Sequence, residues 1–174
     1  MDFELSDELK MIQQTARKFA ENELLPYEEM LEENGELPPE IEKQILDKAK
    51  EAGLNGLHIP EEFGGAGYGT LGLVVYSETM CSVVSAALAS FIPKPSKILL
   101  ACNEEQKKRF LLPAVNFEKR GCFALTEPEA GSDAGNIKTT AVKKGGKWVL
   151  NGTKRFISHG NTADFAITFA ITDP

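Results

Sequence analysis

Histidine, tryptophan and cysteine are scarce in this 174-residue chain, which has two His, one Trp and three Cys. Cys81, Cys102 and Cys122 lie far apart and form no CxxC pair, so a disulfide framework or cysteine-framed zinc site is excluded. Buried free thiols in a reducing, cytoplasmic setting are the expectation. No His/Cys/Asp cluster has metal-ligand spacing, so no metal site is expected. His58, inside the apolar stretch GLHIP, reads as a core or interface histidine. His159 reads as a solvated turn residue or one reaching toward a ligand. Neither a GxSxG nucleophile elbow nor a P-loop occurs. No apolar run approaches the ~20 residues of a membrane span, and the opening MDFELSDELK carries no apolar signal core. Positive charge is also short: 19 Lys and Arg against 26 Asp and Glu leave a net charge of −7. Nonspecific nucleic-acid binding and docking on an anionic membrane need the opposite balance. A small anionic ligand stays open, because it answers to local charge and backbone N–H groups.

What is present is ordinary for a globular protein: 42% hydrophobic and 26% charged residues. Up to residue 118 the apolar period is helical. Ser6 is placed to cap a helix with Leu9, Ile12, Ala16, Phe19, Ala20 and Leu24 on one stripe, ending at Pro26. A second helix starts at Pro38-Pro39, places Ile41, Ile45, Leu46 and Ala49 on one face, and stops at Gly53. A loop with five glycines, residues 54–69, precedes a very apolar helix that Thr70 should cap and that runs through LGLVVYSETMCSVVSAALAS, sandwiched between neighbours. A short helix at 96–101 and one capped by Asn103 follow.

At Gly121 the period changes to that of strands: CFALT, KTTAVKK, KWVLNGTKRFIS and DFAITFAIT. Lys144-Gly145-Gly146-Lys147 is a hairpin turn and Asn151-Gly152 another tight turn. The fold class is therefore α+β. An N-terminal all-α helical bundle, residues 1–118, precedes part of an antiparallel, barrel-like β domain, residues 119–174. Four strands leave an open edge, which suggests that the β domain continues and that the chain is an N-terminal fragment.

Two segments have the residue types of a binding site. In FALTEPEAGSDAGNIKTTA, residues 123–141, a strand ends at Thr126 and a polar loop follows. Gly131 permits close backbone approach, and Thr126 and Ser132 supply hydroxyls for an anion such as a pyrophosphate. An ordinary Gly-rich connection fits the same spacing. In VLNGTKRFISHGNTAD, residues 149–164, Phe156 and Ser158 fall two apart in an expected strand. One face would then offer an apolar ring and a hydroxyl to a flat cofactor. A core Phe and a strand-end Ser fit as well.

Together these segments resemble a known family. LTEPEAGSD, a Lys-Thr pair and NG-x-K-x-[aromatic]-I-[Ser/Thr], within about forty residues, are similar to the middle domain of the acyl-CoA dehydrogenases. IPEEFGGAG at 59–67, NEEQKKRFLLPAV at 103–115 and the opening MDFELSDE match that family's N-terminal domain in order. The resemblance implies an FAD-dependent oxidoreductase of fatty acid metabolism that desaturates an acyl-CoA thioester between its α and β carbons. It would pass electrons to an electron-transfer flavoprotein and form a homodimer or homotetramer at full length.

Carried over by motif, Phe123, Leu125 and Thr126 would flank the flavin, with the Thr126 hydroxyl at the pyrimidine end. Gly131 and Ser132 would meet the FAD phosphates and the CoA portion of the substrate. Phe156, Ile157 and Ser158 would back the ring, with the Ser158 hydroxyl near N5. Many members carry Trp at Phe156, Thr at Ser158 and Gly at Glu129; the last reads as exposed variation. The family's glutamate base lies in a C-terminal helical domain that has no counterpart here, so no catalytic residue is assigned, and Glu127 and Glu61 are not promoted to that role. The chain alone is expected to be inactive. An acyl-CoA oxidase or nitroalkane-oxidase-like enzyme, and a truncated non-catalytic binding module, are the alternatives.

Overall fold

The computed structural model describes residues 4–173. They fall into two compact units, Met1–Glu118 and Lys119–Pro174.

In the first unit, α1 (Asp7–Phe19) begins where the Ser6 Oγ accepts the Leu9 N–H at 3.3 Å, with Asp7 and Glu8 in its first turn. Acids there complement the positive end of the helix dipole. Ile12, Ala16 and Phe19 on its inner stripe are buried, and so are Ala20 and Leu24 beyond it. Pro26 does not end the helical path. A five-residue π turn, Ala20–Leu24, precedes it, with the Leu25 N–H donating to the Ala20 carbonyl. A 3₁₀ turn then leads into α2 (Glu28–Asn34), which ends at Gly35 with φ +74°. A proline ring has no N–H and collides with the carbonyl four residues back. The widened turn relieves that collision without breaking the helix.

Next, α3 (Pro39–Glu51) buries Ile45 and Ala49 and closes before Gly53. The glycine loop that follows folds back on itself: Gly67 and Tyr68 donate their N–H groups to Ile59 and Leu57, each at 2.9 Å. A Cβ on Gly65 would lie 2.2 Å from the Ile59 carbonyl oxygen, so only glycine fits there. His58 in this loop is 7% exposed, and its Nε2 lies 2.7 Å from the Pro95 carbonyl. Desolvation holds its pKa below the usual imidazole value. It is a core histidine.

The apolar run is shorter as a helix than its composition suggests. α4 spans Gly69–Cys81, starting one residue ahead of Thr70, whose hydroxyl accepts instead from Lys97 Nζ at 2.9 Å. Val75, Tyr76, Thr79 and Met80 are buried, but Leu71 and Val74 stand exposed, so within the described residues only one side is covered. The chain leaves the helix over Ser82–Ser85 and resumes as α5 (Ala86–Ala89), capped by Ser85 Oγ. Local cap and turn chemistry from the serines overrides the hydrophobic continuity. Later, a 3₁₀ turn at Lys97–Ala101 precedes α6 (Glu104–Gln106), a second π turn (Lys107–Leu111) and α7 (Leu112–Val115). Asn103 and Gln106 form a reciprocal capping box. This π turn also stands immediately ahead of a Leu-Pro step, Leu112-Pro113.

Among its described residues the second unit has four strands. β1 (Gly121–Ala124) pairs with β4 (Phe165–Thr168), and β2 (Thr140–Lys144) with β3 (Lys147–Asn151). The β2–β3 pair is the expected antiparallel hairpin, turned by Gly145 and Gly146 at φ +55° and +78°. The β1–β4 pair is parallel, in register from Gly121↔Phe165 to Ala124↔Thr168. Forty residues separate these strands, length enough for the crossover that parallel pairing demands. Beyond β4, the Ala141 N–H donates to the Ile171 carbonyl and the Ile171 N–H to the Thr139 carbonyl, both at 2.8 Å, linking the two pairs. No closed barrel forms among the described residues.

Candidate functional site

β1 delivers Phe123 and, just past its end, Leu125 and Thr126. Phe123 is 46% exposed and its ring centroid lies 4.9 Å from that of Phe169. Leu125 and Thr126 are half-buried. The chain then turns tightly, with Glu127 and Ala130 exchanging backbone bonds at 2.9 and 3.3 Å. Gly131 and Ser132 follow on an exposed turn, and a Cβ added to Gly131 would meet nothing within 4 Å.

The second segment departs from its expected form. β3 stops at Asn151, and Phe156-Ile157-Ser158 is not a strand. Phe156 adopts φ +57° and His159 φ +60°, in the left-handed region that side chains rarely enter. The alternating-face geometry expected for Phe156 and Ser158 therefore does not hold. The left-handed kink instead leaves the Phe156 ring 78% exposed, covered on one side by the Arg155 guanidinium at 4.2 Å from its centroid. Ile157 is half-buried and Ser158 is exposed. His159 Nδ1 lies 3.3 Å from Arg120 Nη1.

The two segments meet. The Arg155 N–H donates to the Thr126 carbonyl at 2.8 Å, so Thr126 and Phe156 belong to one local assembly. Beside this bond, Lys154 Nζ donates to the Leu125 carbonyl at 3.0 Å and to Glu127 Oε1 at 2.7 Å. The Glu127 carboxylate is 6% exposed and the Lys154 side chain 12%. Glu127 Oε2 also accepts the Lys138 N–H at 2.6 Å, and Oε1 the Thr139 N–H at 3.0 Å. Lys154, followed by Thr139 and Lys138, holds the Glu127 carboxyl down at about 2. Gly152 completes the packing, for a Cβ there would fall 2.3 Å from Thr139 Oγ1. The TEP, Lys-Thr and NG-x-K motifs thus interlock around one carboxylate.

Glu127 and Lys154 were not among the candidate site residues. Their signal was opposite charge in two motif loops 27 positions apart, which spacing alone does not pair. Glu129, expected as exposed variation, is exposed and also forms an ion pair with Lys138. No group of three or more His, Cys, Asp and Glu able to hold a metal occurs among the described residues. No helix of the described residues is long and apolar enough to cross a membrane.

Comparison with known proteins closes the question of family. The family model "Acyl-CoA dehydrogenase, N-terminal domain" matches residues 6–118, and "Acyl-CoA dehydrogenase, middle domain" matches residues 122–174. An acyl-CoA dehydrogenase of Bacillus subtilis is 38% identical over 98% of this chain, which spans 45% of that protein. The caffeyl-CoA reductase-Etf complex subunit CarC of Acetobacterium woodii is 40% identical over 97% of the chain and 45% of its own length. The crystal structure of a glutaryl-CoA dehydrogenase from Mycobacterium smegmatis in complex with FADH2 superposes with a TM-score of 0.83 at 30% identity, over 97% of this chain and 44% of that one. The chain therefore spans less than half the length of these relatives. With both of its units matched in order, the chain belongs to the acyl-CoA dehydrogenase family.

Proposed function

We propose that this chain is the flavin-contacting portion of an FAD-dependent enzyme that removes hydrogen from the α and β carbons of an acyl-CoA thioester. The observation that carries the reading is the Arg155 N–H to Thr126 carbonyl bond, which joins the two motif loops beside an aromatic ring left open to solvent. The residues fit a flat, polar-edged cofactor. Phe156 and Phe123 offer exposed apolar faces, Thr126 and Ser158 offer hydroxyl donors, and the open turn at Gly131-Ser132 offers unobstructed backbone to phosphate. FAD, when bound, supplies the acceptor for the hydride leaving the β carbon.

In this reading Thr126 and Ser158 steady the negative charge that collects on the cofactor. Ser132 meets the CoA portion of the substrate. Ile157 and Leu125 exclude water at its margin. No side chain of the chain is assigned the α-proton, so residues 1–174 by themselves bind rather than turn over. The named relatives supply two further elements. An Etf-complex subunit among them favours an electron-transfer flavoprotein as redox partner. The same relative is named as a subunit of a caffeyl-CoA reductase complex, which favours a second reading in which the site runs toward the saturated thioester. A cytoplasmic location and homo-oligomerisation belong to the same proposal.

Titrating FAD into the chain and following its visible absorbance and fluorescence tests the reading. Binding weaker than about micromolar is expected, because a segment this short supplies only part of a cofactor's contact surface. Thr126→Ala should weaken it further. FAD that stays free at all concentrations sinks the flavin assignment. With the flavin-loaded protein, bleaching by acyl-CoA supports desaturation, and reoxidation of the reduced form by an enoyl-CoA supports the reductase direction.

A further inference from the structure

We propose that Glu127 and Lys154 are positioning residues: a charged clasp that fixes the Thr126 strand end against the Phe156 loop and so sets how the cofactor platform is presented. The inference deepens the flavin reading and rests on it. It starts from an asymmetry in the second unit. Among the described residues of this unit, the fully buried hydrophobic side chains are those of Ala124, Ala130 and Ala141 alone, so no large apolar side chain is fully buried beneath the loops that hold the candidate residues. What ties the loops together is polar. Lys154 donates once to each side of the Thr126 position, to the Leu125 carbonyl and to Glu127 Oε1. Glu127 in turn gathers the backbone N–H groups of Lys138 and Thr139. One residue past Lys154, the Arg155 N–H reaches the Thr126 carbonyl.

That geometry separates the clasp from an ordinary surface ion pair. Both side chains are nearly covered, so the attraction is little screened by solvent. Its bonds end on main-chain atoms at three positions, Leu125, Lys138 and Thr139, which makes it a fixture for the backbone. Lys154 precedes by two residues Phe156, among the described residues the one exposed aromatic ring whose backbone is left-handed. A conformation of that kind persists only where its surroundings determine it, and the Lys154 and Arg155 bonds to the Leu125–Glu127 segment are the anchors nearest to it.

Amide hydrogen exchange on the free chain, together with FAD titration, tests this. In Lys154→Met, the Arg155, Lys138 and Thr139 amides should lose protection roughly tenfold or more, with the β2–β3 hairpin amides unchanged. FAD affinity should fall roughly 10–100-fold, and the shoulder on the bound flavin's visible band should blur. Lys154→Arg, which keeps the charge and donors, should restore part of both. Unchanged loop protection in Lys154→Met overturns the clasp. So does equal loss of loop and hairpin protection in both variants, because the pair would then support the unit at large. If the unmodified chain binds no FAD, the flavin reading falls, while the exchange arm still decides whether the pair fixes the loops.

Discussion

Glu127 shows how one residue couples charge to backbone order. Its carboxyl titrates at about 2 in the fold, below the usual value of 4.5, because Lys154 and then Thr139 and Lys138 favour the ionised form. A depressed carboxyl contributes stability that is complete above its unfolded pKa and disappears as pH falls through the folded one. Urea unfolding of the second unit from pH 6 to pH 2 should therefore show an acid limb between about 4.5 and 2 that Glu127→Gln lacks. Equal slopes for both proteins would rule out the carboxylate as its source. The sequence made the candidate residues visible through Gly131, Thr126 and the hydroxyl-bearing loops. The carboxylate that binds those loops together was not visible, because a Glu and a Lys in separate segments have no periodicity to connect them. Phe156 departs from the strand its sequence predicts for a related reason. β-propensity in FIS pointed to extended structure, and the bonds made by Lys154 and Arg155 bend the chain away from it.

Among the elements, helices were the most readable, since caps and apolar stripes announce them locally. Ser6, Gly53 and Asn103 all stand at ends the structure uses. The failures came where one local rule met another. Pro26 is absorbed by a π turn, and α4 yields to a serine-rich break although its composition continues apolar. α4 also carries a testable irregularity. Tyr76 is 1% exposed, and its hydroxyl has no hydrogen-bond partner among the described residues. Burial pushes its pKa up. The ring packs in the core with Lys94 Nζ 5.7 Å from its centroid, a contact that phenylalanine retains. Removing an unsatisfied buried hydroxyl relieves a desolvation cost of about 1–3 kcal/mol. Tyr76→Phe should thus leave the thermal midpoint of the helical unit unchanged or raise it. A fall of several degrees would mean that the hydroxyl has a partner in solution, such as a bound water.

At the scale of the whole molecule, each of the two units is stabilised internally by different physics. The first builds one apolar cluster from α1 through Ile92, including Phe19, Leu24, Ile45, Tyr76 and Met80. Among its described residues the second fully buries only three hydrophobic residues, all alanines, and relies on strand pairing and the Glu127 network, while Val142, Trp148, Val149 and Leu150 of its hairpin stay exposed. The heat-capacity change of unfolding follows the apolar surface that becomes wetted, and backbone polar surface contributes with the opposite sign. Calorimetry should accordingly resolve a sharp transition with a large heat-capacity step for the helices. The strands should give a shallow, lower-temperature transition with almost none. A unit ordered this way loosens gradually over a wide thermal range, so whatever settles on Phe156 would also act as its thermostat.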